Sequence, residues 1–141
     1  MSSIPIGSTG TARLIVASEH TAPRVGSGAI AVLATPIMIN LIEAAALAAC
    51  EHLLQAGHQT LGTRLDVSHT AATPVGGLVT ATARVIAVEG REIAFKVEAR
   101  DDLDVIGGGT HTRVIVNVEK FEARVQRKAG ALRHALGAST C

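Results

Sequence analysis

The order of apolar and polar residues predicts a strand and then a long helix in the first third of the chain. Aliphatic and β-branched residues dominate positions 11–17, which predicts a strand. Thr35 and Pro36 then form a helix start, because threonine at the N-cap accepts a hydrogen bond from a free backbone N–H and proline fits the first helical position. The predicted helix extends from there to Gly57, which ends it. Apolar residues would occupy almost every side of this helix, which is typical of a helix buried on most sides.

A period of two residues replaces the helical pattern from Leu61 onward. One face of this predicted strand carries His69 together with the apolar residues Leu65, Val67 and Ala71. Further strands are predicted at 78–89, 93–100 and 109–118. The connections at 89–91 and 101–104 are short and contain Gly or Asp, so these strands form hairpins and pair as antiparallel neighbours.

These elements predict an α+β fold in a single domain spanning residues 1–141, with one buried helix against a five-stranded antiparallel sheet. Residues 1–9 are rich in Ser, Gly and Pro and are expected to be frayed. Residues 119–141 form a charged tail whose apolar spacing indicates a partly helical segment. A single helix leaves sheet edges uncovered, and pairing with an edge strand of a second copy would protect them.

The composition restricts both the core and the classes of ligand. The 141 residues are 48% hydrophobic but include two Phe and no Tyr or Trp, so the core must be built from Val, Ile, Leu and Ala with close backbone approach. Binding of single-stranded nucleic acid requires aromatic stacking platforms and a basic groove, and the formal net charge here is +1. We therefore expect no nucleic-acid partner.

The cysteines and the first residues indicate a reducing compartment. Cys50 lies in an apolar run and Cys141 at the chain end, which does not suggest a disulfide framework, and residues 1–5 lack the basic and apolar regions of a signal peptide. We expect a cytoplasmic protein. The apolar stretch 29–50 approaches the length of a membrane span, but Pro36, Asn40 and Glu43 interrupt it, so no membrane association is expected.

Four functional groups lie within otherwise apolar elements: those of Thr35, Glu43, His69 and Arg113. Buried polar groups are costly unless they are paired. Each also has a structural interpretation, since Thr35 fits a helix cap, His69 a hydrogen-bonded core histidine, and Glu43 with Arg113 an ion pair. The six histidines match no metal motif, and the Gly-rich stretch at 107–110 lacks the lysine and helix of a phosphate loop, which favours close backbone approach there.

Taken together, several segments resemble the fluoroacetyl-CoA thioesterase family of hot-dog proteins, and the resemblance extends over about residues 29–128. The segments are VLATPIM at 32–38, LIEAA at 41–45, LGT at 61–63, VSHTAATP at 67–74, IGGGTHTR at 106–113 and EKF at 119–121. The resemblance implies a hot-dog fold in which a long helix is wrapped by the sheet and two subunits join their sheets edge to edge. It also implies an active site at the dimer interface.

By the same resemblance, the catalytic residues are Thr35, Glu43 and His69, and the substrate contacts come from the backbone of Gly62 and from Arg113. The implied reaction is hydrolysis of an acyl-CoA thioester, in which coenzyme A is part of the substrate and no separate cofactor is needed. His69 is expected to act as general base. Whether Thr35, Glu43 or a water molecule attacks the thioester stays open, as does the choice between a dimer and a dimer of dimers.

One segment departs from the family pattern. Family members selective for the fluorinated substrate carry phenylalanines before the catalytic threonine, whereas residues 25–31 read VGSGAIA here. We therefore expect a different or broader short-chain acyl group. Cationic residues of the tail fit either a solvated helix face or the phosphates of CoA; they are Lys120, Arg124, Arg127 and Lys128.

Two other functions remain open at this point. The first is an acyl-CoA binding protein without catalysis, and the second is an enoyl-CoA hydratase. Hydratases of this fold use an Asp and His pair in a different motif. Asp66 and His69 do not match it, because residues three apart on a strand point to opposite faces.

Overall fold

The computed structural model describes residues 4–139, which form one antiparallel sheet around a long helix. The strands are β1 (Thr9–Ile15), β2 (His58–His69), β3 (Leu78–Glu89), β4 (Glu92–Arg100) and β5 (Val105–Asn117). The helices are α1 (Ala22–Val25), α2 (Thr35–Cys50) and α3 (Val118–Ser139), with short 3₁₀ turns at Ser18–His20 and Glu51–Leu53. This is the α+β arrangement that the sequence predicted.

Helix α2 begins one residue earlier than predicted, at the residue that was expected to be its N-cap. The N-cap is Ala34, so Thr35 is the first helical residue and Pro36 follows it within the first turn. The Thr35 hydroxyl makes no capping bond, because it is hydrogen-bonded to His69 instead. The prediction that the Thr35 side chain caps the helix is therefore wrong. The helix also ends at Cys50, before the 3₁₀ turn and Gly57 that precede β2.

Helix α2 lies against β1, β3 and β4, and its small residues allow close packing. Gly10 of β1 packs so closely on the helix that an added Cβ would collide with the backbone between Ala45 and Ala49. Phe95 is the one buried aromatic ring among the described residues, and aliphatic side chains supply the rest of the core. By length and composition Thr35–Leu53 resembles a membrane span, but its buried positions face the sheet, as in the core helix of a globular domain.

The strand order is β1-β3-β4-β5-β2, so β2 forms one edge of the sheet. β2 pairs with β5 on one side only, and an irregularity at Thr63 separates the pairs made by Gly62 and Arg64. Leu61 and Leu65 are exposed on this edge. Such an edge offers free backbone groups to a further strand.

The ends of the chain and the start of β5 differ from expectation. Residues 4–9, expected to be frayed, are held in place: Ile4 is buried in the core, and the Ser8 hydroxyl donates to the Ala49 carbonyl at 2.6 Å. Residues 1–3 and 140–141, including Cys141, lie outside the described part of the chain. Strand β5 begins at Val105 and includes Gly107, where an added Cβ would collide with the Ser68 carbonyl, so the expected close approach is present.

The tail is a single long helix. α3 extends directly from β5 and contains Phe121, within the segment 119–141 for which a partly helical structure was predicted. Together, the buried helix and the five antiparallel strands match the hot-dog fold that the resemblance implied. Dimerisation through an edge strand stays a prediction.

Candidate active site at the ends of helix α2 and strand β2

Thr35 and His69 form a hydrogen-bonded pair where α2 begins and β2 ends. The Thr35 Oγ1 atom lies 2.7 Å from the His69 Nδ1 atom. The other ring nitrogen of His69, Nε2, is buried and has no hydrogen-bond partner within the described chain. Burial lowers the pKa of His69 below its ordinary value. The imidazole is therefore neutral near pH 7 and able to accept a proton.

This pair opens into a cavity of about 280 Å³. The segment before α2 forms one wall of it, through Ala22, Ser27, Val32, Leu33 and Ala34, and residues 70–72 after β2 form another. The segment that the sequence singled out for its missing aromatics thus borders the Thr35 and His69 pair. Its side chains are small, so the wall leaves the cavity open.

Glu43 and Arg113 form a second polar cluster farther along α2. Arg113 projects from β5 toward the helix, and its Nη1 atom donates to Glu43 Oε2 at 3.0 Å. The Arg113 side chain is 6% exposed, whereas that of Glu43 is 35% exposed. One carboxylate oxygen is therefore fixed by the arginine while the group still reaches solvent.

The guanidinium of Arg113 is held on two further sides. Its Nε donates to Thr60 Oγ1 at 2.8 Å, and its Nη2 donates to the Thr60 carbonyl at 3.0 Å. The His111 Nδ1 atom lies 2.7 Å from the Arg64 carbonyl, which can only accept, so Nδ1 carries the proton and Nε2 accepts from Arg113 at 3.1 Å. Burial lowers the pKa of His111, which keeps this tautomer neutral.

Gly62 leaves room for the Glu43 carboxylate at the edge of the sheet. An added Cβ at Gly62 would lie 2.6 Å from Glu43 Oε2 and 3.0 Å from His111 Cε1. A side chain at this position would displace the carboxylate. The Gly62 backbone and the Glu43 carboxylate thus meet at the sheet edge formed by β2, next to the buried Arg113 guanidinium.

The structure divides the five predicted residues into two groups. Thr35 and His69 are in contact, and Glu43, Gly62 and Arg113 are in contact. Eight residues separate Thr35 from Glu43 on α2, which corresponds to about 12 Å along the helix. Seven residues separate Gly62 from His69 on β2, which corresponds to roughly 23 Å. Within one chain, Glu43 does not approach His69.

Two residues that hold the site were not predicted for this role. Thr60 and His111 orient Arg113, and both are buried. The spacing of His111 and Arg113 was the available signal, since residues two apart on a strand share a face. Nothing comparable marks Thr60, whose role depends on pairing between β2 and β5.

Two other chemistries find no support at these positions. No group of three or more His, Cys, Asp or Glu side chains in residues 4–139 is arranged to hold a metal ion. Asp66 is exposed and lies on the opposite face of β2 from His69. An Asp and His hydratase pair is therefore not formed by these residues.

The chain is similar to known thioesterases in sequence and in fold. Residues 16–119 match the family FlK, described as fluoroacetyl-CoA-specific thioesterase. A fluoroacetyl-CoA thioesterase from Streptantibioticus cattleyicolor is 46% identical over 100 residues, which cover 71% of this chain and 72% of that protein. The solved structure of the fluoroacetyl-CoA thioesterase FlK superposes with a TM-score of 0.85 at 37% identity, covering 89% of this chain and 98% of that one.

A thioesterase superfamily member from Thermus thermophilus superposes with a TM-score of 0.88 at 28% identity, covering 95% of this chain and 99% of that one. The family match spans most of the chain, and the resemblance inferred from the sequence motifs is confirmed. The prediction of a thioester hydrolase is confirmed as well. The chain belongs to the fluoroacetyl-CoA-specific thioesterase family.

Proposed function

We propose that the protein hydrolyses short-chain acyl-CoA thioesters to the free acid and CoA. The observation that carries this proposal is the 2.7 Å contact between Thr35 and His69 beside an open cavity, with His69 Nε2 left without a partner. A neutral imidazole is suited to take a proton from the hydroxyl that contacts its Nδ1 atom, or from a water molecule in that place. Family membership supports the thioester as the reacting group.

The complete site requires two protomers in this proposal. Gly62 lies on the edge strand β2 and is in contact with Glu43, which Arg113 holds. Along α2, Glu43 is about 12 Å from Thr35, which contacts His69. Antiparallel pairing of β2 with the same strand of a second copy brings Gly62 of one protomer opposite His69 of its partner, if the two-fold axis passes close to Asp66. Glu43 of one protomer then faces the Thr35 and His69 pair of the other.

Each residue has a defined role in the reaction. His69 removes the proton from the attacking group, and the carbon–sulfur bond of the thioester breaks as the CoA thiolate leaves and takes up a proton. Glu43 either orients the attacking water or attacks as a carboxylate nucleophile. In the second case it forms an anhydride, which a water molecule deprotonated by His69 hydrolyses to the free acid and regenerated Glu43. Thr35 contacts the thioester in the first turn of α2, where the helix dipole stabilises negative charge on the carbonyl oxygen. Arg113 and the Gly62 backbone position the acyl end.

The acyl group is proposed to be short but not restricted to fluoroacetyl. The cavity wall contributed by Ala22 and Ser27 carries no aromatic ring, and residues 25–31 contain none. A cavity bordered by small side chains accepts acetyl, propionyl and related acyl groups. We expect modest differences in kcat/KM between them, since one methylene group changes this value by about 10-fold to 200-fold. We place this activity in the cytoplasm, where the free and buried thiol of Cys50 is stable.

The direct test is release of free thiol from a panel of acyl-CoA substrates by the purified protein. We expect turnover of acetyl-, propionyl- and fluoroacetyl-CoA, and loss of turnover in the His69→Ala variant. Binding of acyl-CoA without thiol release from any substrate would instead favour a non-catalytic binding protein. Analytical ultracentrifugation of the same sample distinguishes a dimer from a dimer of dimers and would reject the shared site if the active species were a monomer.

A further inference from the structure

A groove beside helix α3 carries a concentration of positive charge. It has a volume of about 430 Å³ and lies where β5 continues into α3. Its cationic side chains are Arg91, Lys120, Arg124 and Arg127, and Val116, Asn117 and Ala123 complete the lining. Positions 120, 124 and 127 share one face of the helix, so the three α3 cations point the same way. Arg91 faces them from the turn between β3 and β4.

These four cations have no carboxylate to neutralise them. No acidic residue lines the groove, and none of the four forms an ion pair within residues 4–139. Glu119 and Glu122 lie on the same helix without pairing to them. Like charges in close proximity repel one another, and an anionic ligand removes that repulsion.

Two contacts hold the groove in shape. The Asn117 side chain accepts a hydrogen bond from the Lys120 backbone N–H at 3.0 Å, which fixes the first turn of α3. The Arg124 guanidinium lies 5.5 Å from the centre of the Phe121 ring, a cation–π contact that limits its motion. The cations are therefore partly pre-organised before any ligand binds.

We propose that this groove binds the phosphate groups of a nucleotide, namely the adenosine 3′,5′-bisphosphate end of coenzyme A. The proposal rests on the acyl-CoA substrate proposed above. Guanidinium groups bind phosphate oxygens through two parallel hydrogen bonds, and three arginines meet in this groove. Val116 and Ala123 provide an apolar surface for the base.

The position of the groove suits the length of the substrate. Arg113 and Asn117 are four residues apart on β5, which corresponds to about 14 Å. An extended pantetheine arm has a length on the order of 15 Å, by comparison with a peptide of similar bond number. Val116 and Arg113 point to opposite faces of β5. In this proposal the pantetheine arm therefore passes round the end of β5 to connect the groove with the acyl site. The three α3 cations lie beyond the family match at 16–119.

The experiment compares two double variants that carry the same change in charge. Arg124→Glu with Arg127→Glu reverses two charges in the groove, and Arg13→Glu with Arg133→Glu makes the same change at exposed positions outside it. Calorimetry measures binding of adenosine 3′,5′-bisphosphate to each full-length protein. Kinetics compare acetyl-CoA with acetyl-pantetheine, which lacks the nucleotide phosphates. Circular dichroism checks that α3 is retained.

We expect the groove variant to bind the bisphosphate at least about tenfold more weakly and to raise KM for acetyl-CoA by a similar factor. The kcat of the groove variant for acetyl-CoA should stay unchanged, and so should its kcat and KM for acetyl-pantetheine. The Arg13 and Arg133 control should keep the constants of the unaltered protein for both substrates. Arg91→Ala, on a different element, should weaken binding in the same direction. The affinity of the unaltered protein should fall with added salt.

Equal effects of the two double variants would overturn the proposal, because net charge alone would then explain them. Tighter binding of inorganic pyrophosphate than of the adenosine bisphosphate would overturn the assignment to the nucleotide end of CoA. If no thioester is hydrolysed, the proposed function fails, whereas binding of the bisphosphate still tests the groove independently.

Discussion

The Thr35 hydroxyl oxygen lies 2.7 Å from His69 Nδ1, although 34 positions separate the two residues in the chain. The first residue of α2 and the last residue of β2 meet because the helix crosses the concave face of the sheet. A hydroxyl that would otherwise cap the helix is thereby directed at an imidazole. The pair is formed within one chain, whereas in the proposed dimer the Glu43 carboxylate that faces it comes from the second chain.

Replacement of the proposed catalytic residues should lower kcat without unfolding the protein. We expect His69→Ala and Glu43→Gln each to reduce kcat for acetyl-CoA by about a hundredfold or more, because each removes a group that moves or orients a proton. Thr35→Ala should also be impaired, and Thr35→Ser should recover part of the activity because it keeps the hydroxyl. Thiol release measures all four.

Ser68→Ala provides a matched control for these variants. Ser68 precedes His69 but is exposed, and its hydroxyl donates only to the Gly108 carbonyl at 3.3 Å. It should therefore retain the activity of the unaltered protein. Full kcat in both His69→Ala and Glu43→Gln would show that neither takes part in proton transfer.

The pH dependence should report the lowered pKa of His69. Burial disfavours the imidazolium, so the neutral base is present above a pKa that lies below the ordinary value of about 6.5. Activity should rise with pH through that folded-state pKa and then level off. The measurement is a profile of kcat/KM for acetyl-CoA in the free enzyme. An acidic limb centred above the ordinary histidine value would contradict the assignment.

The sequence predicted the elements because their physical signals are local. The period of two residues placed His69 on the inner face of β2, and the short connections at 89–91 and 101–104 predicted the hairpins that join β3, β4 and β5. The many small residues predicted close backbone packing, and Gly10 of β1 packs in this way against the backbone of α2. These inferences needed only neighbouring residues.

The contacts within the site depend on distant residues and could not be derived in the same way. The Thr35 hydroxyl has two possible partners, the start of its own helix and His69, and only the tertiary structure selects between them. Thr60 holds Arg113 because β2 pairs with β5 in one register out of several that the apolar pattern allows. The family resemblance identified Glu43 and Arg113, but not the residues that orient them.

Substitution of Gly62 should disturb the Glu43 carboxylate. The Cβ of a Gly62→Ala variant would lie 2.6 Å from Glu43 Oε2, so the carboxylate must move away from Arg113 or from the edge of the sheet. We expect kcat to fall by up to about a hundredfold, since small displacements of a catalytic group have effects of this size. Gly130→Ala in α3, where an added Cβ meets only the end of Arg133 at 3.8 Å, should keep full activity. Equal activity of the two variants would contradict a tight fit at Gly62.

The proposed two-fold axis near Asp66 predicts a specific cross-link. In a Cys141→Ala background, Asp66→Cys places a thiol on the exposed face of β2 in each protomer, close to the axis. We expect oxidation or a short thiol-reactive linker to join two chains, which denaturing gel electrophoresis detects. Arg13→Cys, on the opposite edge strand β1, should give little cross-linking. Preferential cross-linking of the Arg13 variant would place the dimer contact at β1 and separate Glu43 from the Thr35 and His69 pair.

The absence of aromatic side chains beside the cavity predicts how acyl selectivity will respond to a bulky residue. Ser27 lines the cavity that holds Thr35 and His69, in the segment where selective family members carry phenylalanine. A Ser27→Phe variant should lower kcat/KM for butyryl-CoA about tenfold more than for acetyl-CoA, because the ring occupies space that the longer chain needs. The measurement is the ratio of the two values, which is insensitive to the amount of active protein. Val25→Phe, outside the cavity lining, serves as the control, and equal ratios in both variants would show that this segment does not contact the acyl group.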